Sequence, residues 1–383
     1  MKEKIVISAV NIRKGGTLTV LRECLGFLSA IEGVQVTAIV HDRRICDYEG
    51  INYIEIPWST RSWIHRLWCE YVTLHRISER MDGVVLWLSL HDISPRVKAG
   101  RRAVYCHTSF PFMKRKWKDW RFDPKIPLFS LLMKYAYRIN VRRNKYLIVQ
   151  QEWFRDAMAA LVHFPKDRII VAPPAFRQWV IPDCTWAAPV PIFLYPATAD
   201  CHKNFETLCE AMSLLAPLCK GPSLYNDKRM QLRVVLTIDG TENSYARYLK
   251  KKYGHLKCLD FHGFMSREEL RRYYGLATCL VFPSRVETWG LPISEFKHTG
   301  KPMLLADLPY AHETAAGAGQ VAFFPPDDAL SLAALIAQIA DFSGNSSLHP
   351  CKDAAVPSAP FAADWDALFK ILLADGKAPG DSL

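Results

Sequence analysis

Residues 278–310 hold the densest chemistry in the chain. Cys279 to Phe282 is a short apolar run that reads as a buried strand, ended by Pro283 and Ser284. Arg285 to Leu291 follow as a loop, and Pro292 fits the first turn of a helix, where its missing N–H costs nothing. The amides of Trp289, Gly290 and Leu291 lead into that helix N-terminus, which carries unpaired donors and a partial positive charge and so attracts anions. Gly290 lets a ligand approach the backbone closely. Two carboxylates frame the loop: Glu287 on the loop itself, and Glu295 one turn inside the helix. Glu295 is placed to reach hydroxyls beside a bound anion. The chemistry on offer is that of a diphosphate site.

Three further groups invite the same question. Lys203 opens the helix Phe205 to Leu215, and an ammonium there is a mobile point charge suited to phosphate oxygens. A plain surface lysine is the other reading. His107 directly follows the strand Ala103 to Cys106, at a carboxyl end, where open α/β sheets place ligands. A capping or core histidine is the alternative there. Gly15 and Gly16 form a turn between the strand Lys4 to Val10 and the helix Leu18 to Leu28, and would let that turn approach a ligand from another domain. Neither a Gly-x-Gly-x-x-Gly fingerprint nor a Walker loop occurs.

These residues need a scaffold of alternating strands and helices. Strands are expected at 34–40, 51–56, 84–88, 103–106, 146–150, 168–171, 191–196, 231–238, 256–261, 279–282, 301–305 and 321–324. Helices are expected at 61–80, 152–161, 205–215, 329–339 and 364–373, and one capped by Ser266 with Glu269 three residues on. Along 61–80, Trp63, Leu67, Trp68, Tyr71 and Leu74 recur at helical spacing and read as a core stripe. The alternation predicts an α/β fold with doubly wound parallel sheets. The Pro- and Trp-rich stretch 178–191 reads as a linker between domains 1–180 and 190–345, with a last helix at 360–375.

Seven residues separate Glu287 from Glu295, with Gly290-Leu291-Pro292 between, Phe282-Pro283-Ser284 before and Gly300-Lys301-Pro302 after. This pattern resembles the Glu-x7-Glu signature of retaining glycosyltransferases of family 4, which have the GT-B fold: two Rossmann-like domains facing a central cleft. The resemblance is strongest over 190–340 and weaker over 1–180, which it makes the acceptor-binding part. It implies that Glu287 contacts the donor sugar, in a positioning and charge-stabilising role, and that Glu295 holds the nucleotide ribose. Lys203, in His202-Lys203-Asn204, corresponds to the lysine that binds the donor diphosphate. Gly15 and Gly16 face the diphosphate and sugar, and His107 lies close to the sugar. The turn His262-Gly263-Phe264 lies against the nucleotide base. Residues 306–313 close over the sugar site, and the last helix crosses back to the first domain. The family commonly has an arginine a few residues before the lysine. Thr198 stands there instead, which makes Arg285 the candidate substitute among the donor-binding residues.

The resemblance implies no cofactor and no metal. The Asp-x-Asp of metal-dependent glycosyltransferases occurs only as Asp364-Trp365-Asp366, far from the phosphate motifs, and reads as an exposed helix start. The donor would be a nucleotide-diphosphate sugar. His-Lys-Asn and Phe-Pro-Ser are similar to bacterial surface-polysaccharide mannosyltransferases, which makes GDP-mannose the first candidate and a glycan or lipid-linked glycan the acceptor.

Composition bounds the partners. The 383 residues have 50% hydrophobic content, enough for two domains, and a formal net charge of +11, which favours anionic partners. The 11 cysteines show no Cys-x-x-Cys pair or zinc spacing, which fits free thiols in a reducing compartment. Neither a secretion signal nor a run approaching about 20 apolar residues is visible. A cytoplasmic location is therefore expected. Residues 111–145 interleave Lys114, Arg115, Lys116, Lys118 and Arg121 with tryptophans, and Arg138, Arg142, Arg143 and Lys145 follow on a helix. Only Asp119 and Asp123 oppose them. This is either a solvated basic face or an attachment to an anionic membrane, at the inner face of the cytoplasmic membrane. Nucleic acid is disfavoured, since no helix-turn-helix, zinc-finger or RNP signature is present. A GT-B sugar-nucleotide epimerase is the remaining alternative, and the Glu-x7-Glu spacing argues against it.

Overall fold

The computed structural model describes residues 2–13, 15–174, 190–217, 232–341, 347–353 and 356–374. Two compact units emerge. The first comprises Met1–Pro111, Leu131–Ala175 and Val356–Leu383; the second comprises Phe112–Ser130 and Phe176–Ala355.

Among the described residues, the first unit is built on seven parallel strands: β1 (Glu3–Ala9), β2 (Val34–Val40), β3 (Ile51–Glu55), β4 (Val84–Ser89), β5 (Arg101–Tyr105), β6 (Tyr146–Val149) and β7 (Ile169–Val171). Their order is β3-β2-β1-β4-β5-β6-β7. The second unit has six: β8 (Ile192–Tyr195), β9 (Arg233–Leu236), β10 (Leu259–Phe261), β11 (Cys279–Phe282), β12 (Met303–Ala306) and β13 (Val321–Phe324). Their order is β10-β9-β8-β11-β12-β13, again all parallel, with Leu280 of β11 beside Leu194 of β8 and Met303 of β12. The helices are α1 (Gly16–Ser29), α2 (Trp63–Trp68), α3 (Leu74–Glu79), α4 (Trp117–Phe122), α5 (Lys125–Ala136), α6 (Glu152–Val162), α7 (Phe205–Leu215), α8 (Ser244–Tyr253), α9 (Arg267–Leu276), α10 (Leu291–Lys297), α11 (Pro309–Ala315), α12 (Ala329–Ala340) and α13 (Trp365–Leu373). Both units are Rossmann-like doubly wound sheets. The strands are near-continuous apolar runs because parallel sheets are covered on both faces.

Alternation along the strands sorts the cores. Ile5, Ile7 and Ala9 of β1 join α1 and α13 in one core, where Phe27 and Phe369 stack with ring centroids 5.7 Å apart. Val6 and Val10 point the other way and pack with Cys69, Leu74 and Trp87.

Three expectations need correction, and a fourth falls largely outside the described residues. Segment 112–130 belongs to the second unit, so the division is not a single cut near residue 185. The linker expected at 178–191 lies, up to residue 189, outside the described residues. Residues 63–79 are helical, but a π-helical turn at Cys69–Thr73 interrupts them, and Trp63, Leu67 and Trp68 are exposed rather than core. The basic stretch after α5 is not one helix: Asn140 takes a left-handed conformation and Val141–Arg143 form a 3-10 turn.

Candidate active site

In a doubly wound sheet, ligands bind beyond the carboxyl ends of the strands where the order reverses. In the second unit that point lies between β8 and β11. The loop after β8 carries Lys203 and the loop after β11 carries Glu287. Topology thus brings together two residues 84 apart in sequence, with Lys203 Nζ 2.6 Å from Glu287 Oε1. Both side chains keep a little solvent contact, at 17% and 15%. The Ser284 hydroxyl also donates to Glu287 Oε1, at 2.7 Å.

The two loops are tightly held. Lys203 ends a 3-10 turn, Cys201–Lys203, and Asn204 adopts φ 59°, a left-handed conformation that asparagine tolerates. The Asn204 amide donates to the carbonyls of Pro283 (3.1 Å) and Pro326 (2.7 Å), tying three loops together. The Tyr195 hydroxyl donates to the Lys203 carbonyl, and the Tyr310 hydroxyl to that of Ser284 at 2.7 Å. These hydrogen bonds fix the backbone on both sides of the Lys203–Glu287 pair.

Gly290 precedes α10 with φ 88° and ψ 58°, and a Cβ there would also stand 3.2 Å from Ile293 Cδ1. A side chain would therefore be strained at this turn. The Trp289 indole donates to Ser294 Oγ at 2.8 Å and its carbonyl accepts from Thr314, so Trp289 braces the loop. Leu291 is the first residue of α10. Glu295 lies within α10, where its Oε2 accepts from the Tyr274 hydroxyl at 2.7 Å. Burial raises the Glu295 pKa, partly offset by that hydrogen bond and by Arg267 and Arg271. Phe264 sits after Gly263, whose φ is 96°, and the residue is 90% exposed.

Arg285 makes its contacts with segment 112–130 and the loop after β8. Its guanidinium is buried against the carboxylate of Asp119, which it meets through both terminal nitrogens, and it donates to the carbonyls of Lys114 (3.2 Å) and Cys201 (3.0 Å). These contacts hold segment 112–130 against the loop after β11. The Thr198 hydroxyl donates to Asp200 at 2.6 Å.

Gly15, Gly16 and His107 lie in the first unit. Gly15 has φ 75° and caps α1, which Gly16 begins. The His107 amide donates to Asp92 Oδ1 at 2.6 Å, and its ring stacks on Tyr105 with centroids 4.5 Å apart. Burial lowers its pKa, opposed by the Asp92 carboxylate. Asp92 itself has φ 74° and also accepts from Thr108 and Tyr137. Sequence reasoning missed Asp92, Ser284, Asn204, Tyr274 and Tyr310. Only the neighbours of Ser284 and Asn204 carried a signal, through Phe-Pro-Ser and His-Lys-Asn.

Known proteins resemble this arrangement. Residues 185–350, which lie in the second unit, match the family model described as Glycosyl transferases group 1. The chain is 26% identical over 206 residues to the O-antigen chain mannosyltransferase B of Escherichia coli. That match covers 51% of this chain and about half, 51%, of the relative's length. The fold of the whole chain is similar to HepE of Anabaena in complex with UDP-glucose, with a TM-score of 0.61 at 14% identity, covering 90% of this chain and 92% of that one. It is also similar to WaaG, a glycosyltransferase involved in lipopolysaccharide biosynthesis, with a TM-score of 0.58 at 14% identity, covering 88% and 92%. At these identities the structural likeness establishes the GT-B fold.

Proposed function

We propose that the protein is a retaining, metal-independent glycosyltransferase of family 4 that moves a sugar from a nucleotide-diphosphate sugar to a glycan or lipid-linked acceptor in bacterial surface-polysaccharide synthesis. One observation carries the reading: the ammonium of Lys203 and the carboxylate of Glu287 meet at the switch point of a group 1 domain. A donor entering there would exchange the contact to Glu287 for contacts to its own phosphates. Lys203 then neutralises charge as the anomeric carbon–oxygen bond breaks and the nucleoside diphosphate leaves. Glu287, freed from the lysine, receives the sugar hydroxyls and favours positive charge developing at the anomeric carbon. The acceptor oxygen bonds to that carbon on the face the diphosphate leaves, and its proton passes to the departing phosphate. Glu295 hydrogen-bonds the ribose, and the exposed Phe264 offers a face to the base.

The similarity to an O-antigen mannosyltransferase supports GDP-mannose as the first donor to test; UDP-glucose, bound by HepE, is the second. A bound donor raises the melting temperature in proportion to ln(1 + [L]/Kd), so a nucleotide-sugar panel read by thermal shift ranks the candidates. Transfer of radiolabelled sugar to a lipid acceptor, with and without EDTA, tests the reaction. Activity lost to EDTA would remove the metal-independent part, and an inverted anomeric product would remove retention.

Among the described residues, no helix is long and apolar enough to cross a membrane. Attachment to an anionic membrane through 111–145 remains part of the proposal, in reduced form. Lys116 pairs with Asp327 and Lys118 with Glu206 in the second unit, which leaves Lys114, Arg115 and Arg121 with the exposed Trp117 and Trp120.

A further inference from the structure

Helix α2 is built the wrong way round for a surface in water. Four of its six residues are large, apolar and exposed: Trp63 (54%), Ile64 (78%), Leu67 (43%) and Trp68 (56%). At 3.6 residues per turn they fill an arc of about 140°. Charge sits on the inward side. Arg66 Nε donates to Glu70 Oε1 at 2.8 Å, with the Glu70 side chain fully buried, and Arg66 also donates to the His91 carbonyl at 2.9 Å. An amphipathic helix at a protein–water boundary places its charges outward and its apolar stripe inward.

The charge exposed on this stretch is positive up to Ser78, where the exposed Glu79, 3.5 Å from His75, ends the run. From Ile56 to Ser78 the only carboxylate is the buried Glu70. The ionisable groups this stretch exposes are Arg61, His65 and Arg76. Arg13, also exposed, adds a fourth, its guanidinium donating to the Thr60 carbonyl just before α2.

We propose that α2 is an interfacial helix that seats the first unit on an anionic lipid bilayer, with its tryptophans at headgroup depth and Arg61 and Arg76 against lipid phosphates. Tryptophan favours that layer, and an apolar face flanked by cations is the pattern of helices that lie in it. A second copy of this chain fits less well, because it would bring its own +11 charge and the same cationic rim to the contact. The surface lies in the first unit, separate from segment 112–130, and does not depend on the donor chemistry proposed above.

The test uses the whole chain with vesicles of phosphatidylcholine alone and with added phosphatidylglycerol. The variants are Trp63→Ser with Trp68→Ser, and Arg61→Glu with Arg76→Glu. The expected result is that the tryptophan variant binds anionic vesicles about tenfold more weakly, from the loss of buried apolar surface. The charge variant should lose the preference for anionic over neutral vesicles. Since these side chains are exposed, melting temperatures should match wild type; if the tryptophan pair misfolds, Ile64→Ser with Leu67→Ser makes the same test. Tryptophan variants that bind within twofold of wild type would overturn the proposal, as would a wild type that ignores anionic vesicles. Self-association that is lost on the same substitutions, without vesicle binding, would assign the face to a second copy and overturn it too. A donor thermal shift on the same samples reports on the transferase reading separately.

Discussion

At the scale of single residues, Lys203 and Glu287 pair with each other. Lys203→Ala removes the charge that a departing diphosphate needs, so kcat should fall by about a hundredfold or more while donor KM moves less. Steady-state kinetics with the donor found by thermal shift will show it; kcat within threefold of wild type would exclude the role. Glu70 gives a test in the first unit. Burial raises its pKa to about 7, against the opposing pull of Arg66. A carboxyl group with a raised folded-state pKa stabilises the fold fully below its unfolded value, near 4.3, and loses that contribution as pH climbs through 7. Wild type should therefore lose up to about 3 kcal/mol from this group between those pH values. Glu70→Gln should flatten that part of the melting-temperature profile. An unchanged profile would mean that Glu70 stays ionised throughout, held by Arg66.

At the scale of elements, the alternation of apolar runs with glycine and proline stops made the thirteen strands among the described residues readable, because a doubly covered parallel strand leaves little room for other residue types. The helix starts at Ser266, Asp328 and Asp364 were readable from their side-chain caps. Other elements were hidden for physical reasons. Helix α4 is short and cationic and gains its place only by docking: Lys116 meets Asp327, Lys118 meets Glu206, Phe122 packs on Tyr245 and Tyr248, and Asp119 meets Arg285. Nothing local announces such partners. The outward stripe of α2 was misread because spacing reveals an apolar face without telling which way it points. In the site, Glu287, Lys203 and Gly290 stood out through unusual spacing. Tyr274, Tyr310 and Asp92 did not, since buried tyrosines and acids look like any others until their partners are known. Asp119→Ala tests the α4 contact. It strands a buried guanidinium, which costs about 3–5 kcal/mol, and loosens the loop that carries Glu287. Urea unfolding should register the loss of stability, and donor titration a weaker affinity; a variant as stable as wild type would mean that Arg285 finds solvent instead.

At the scale of the molecule, the chain passes between the two units four times, at 111/112, 130/131, 175/176 and 355/356. A fragment cut to the family match, residues 185–350, therefore lacks a piece of its own unit. It should unfold at lower urea than the same fragment supplied with a peptide of residues 112–130, and the peptide should bind it measurably in calorimetry. Equal stability with and without the peptide would show that α4 is an ornament on a self-sufficient domain.

The Asp119–Arg285 contact spans 166 positions, and this sets a timetable for the nascent chain. At about 5–20 residues per second, the ribosome makes Arg285 roughly 8–33 s after Asp119. The first sheet, complete by Val171, has time to form around a loop whose destination does not yet exist. Through that interval Lys116, Lys118 and Phe122 wait without their docking partners, a stretch of the kind that ribosome-associated chaperones are suited to shield.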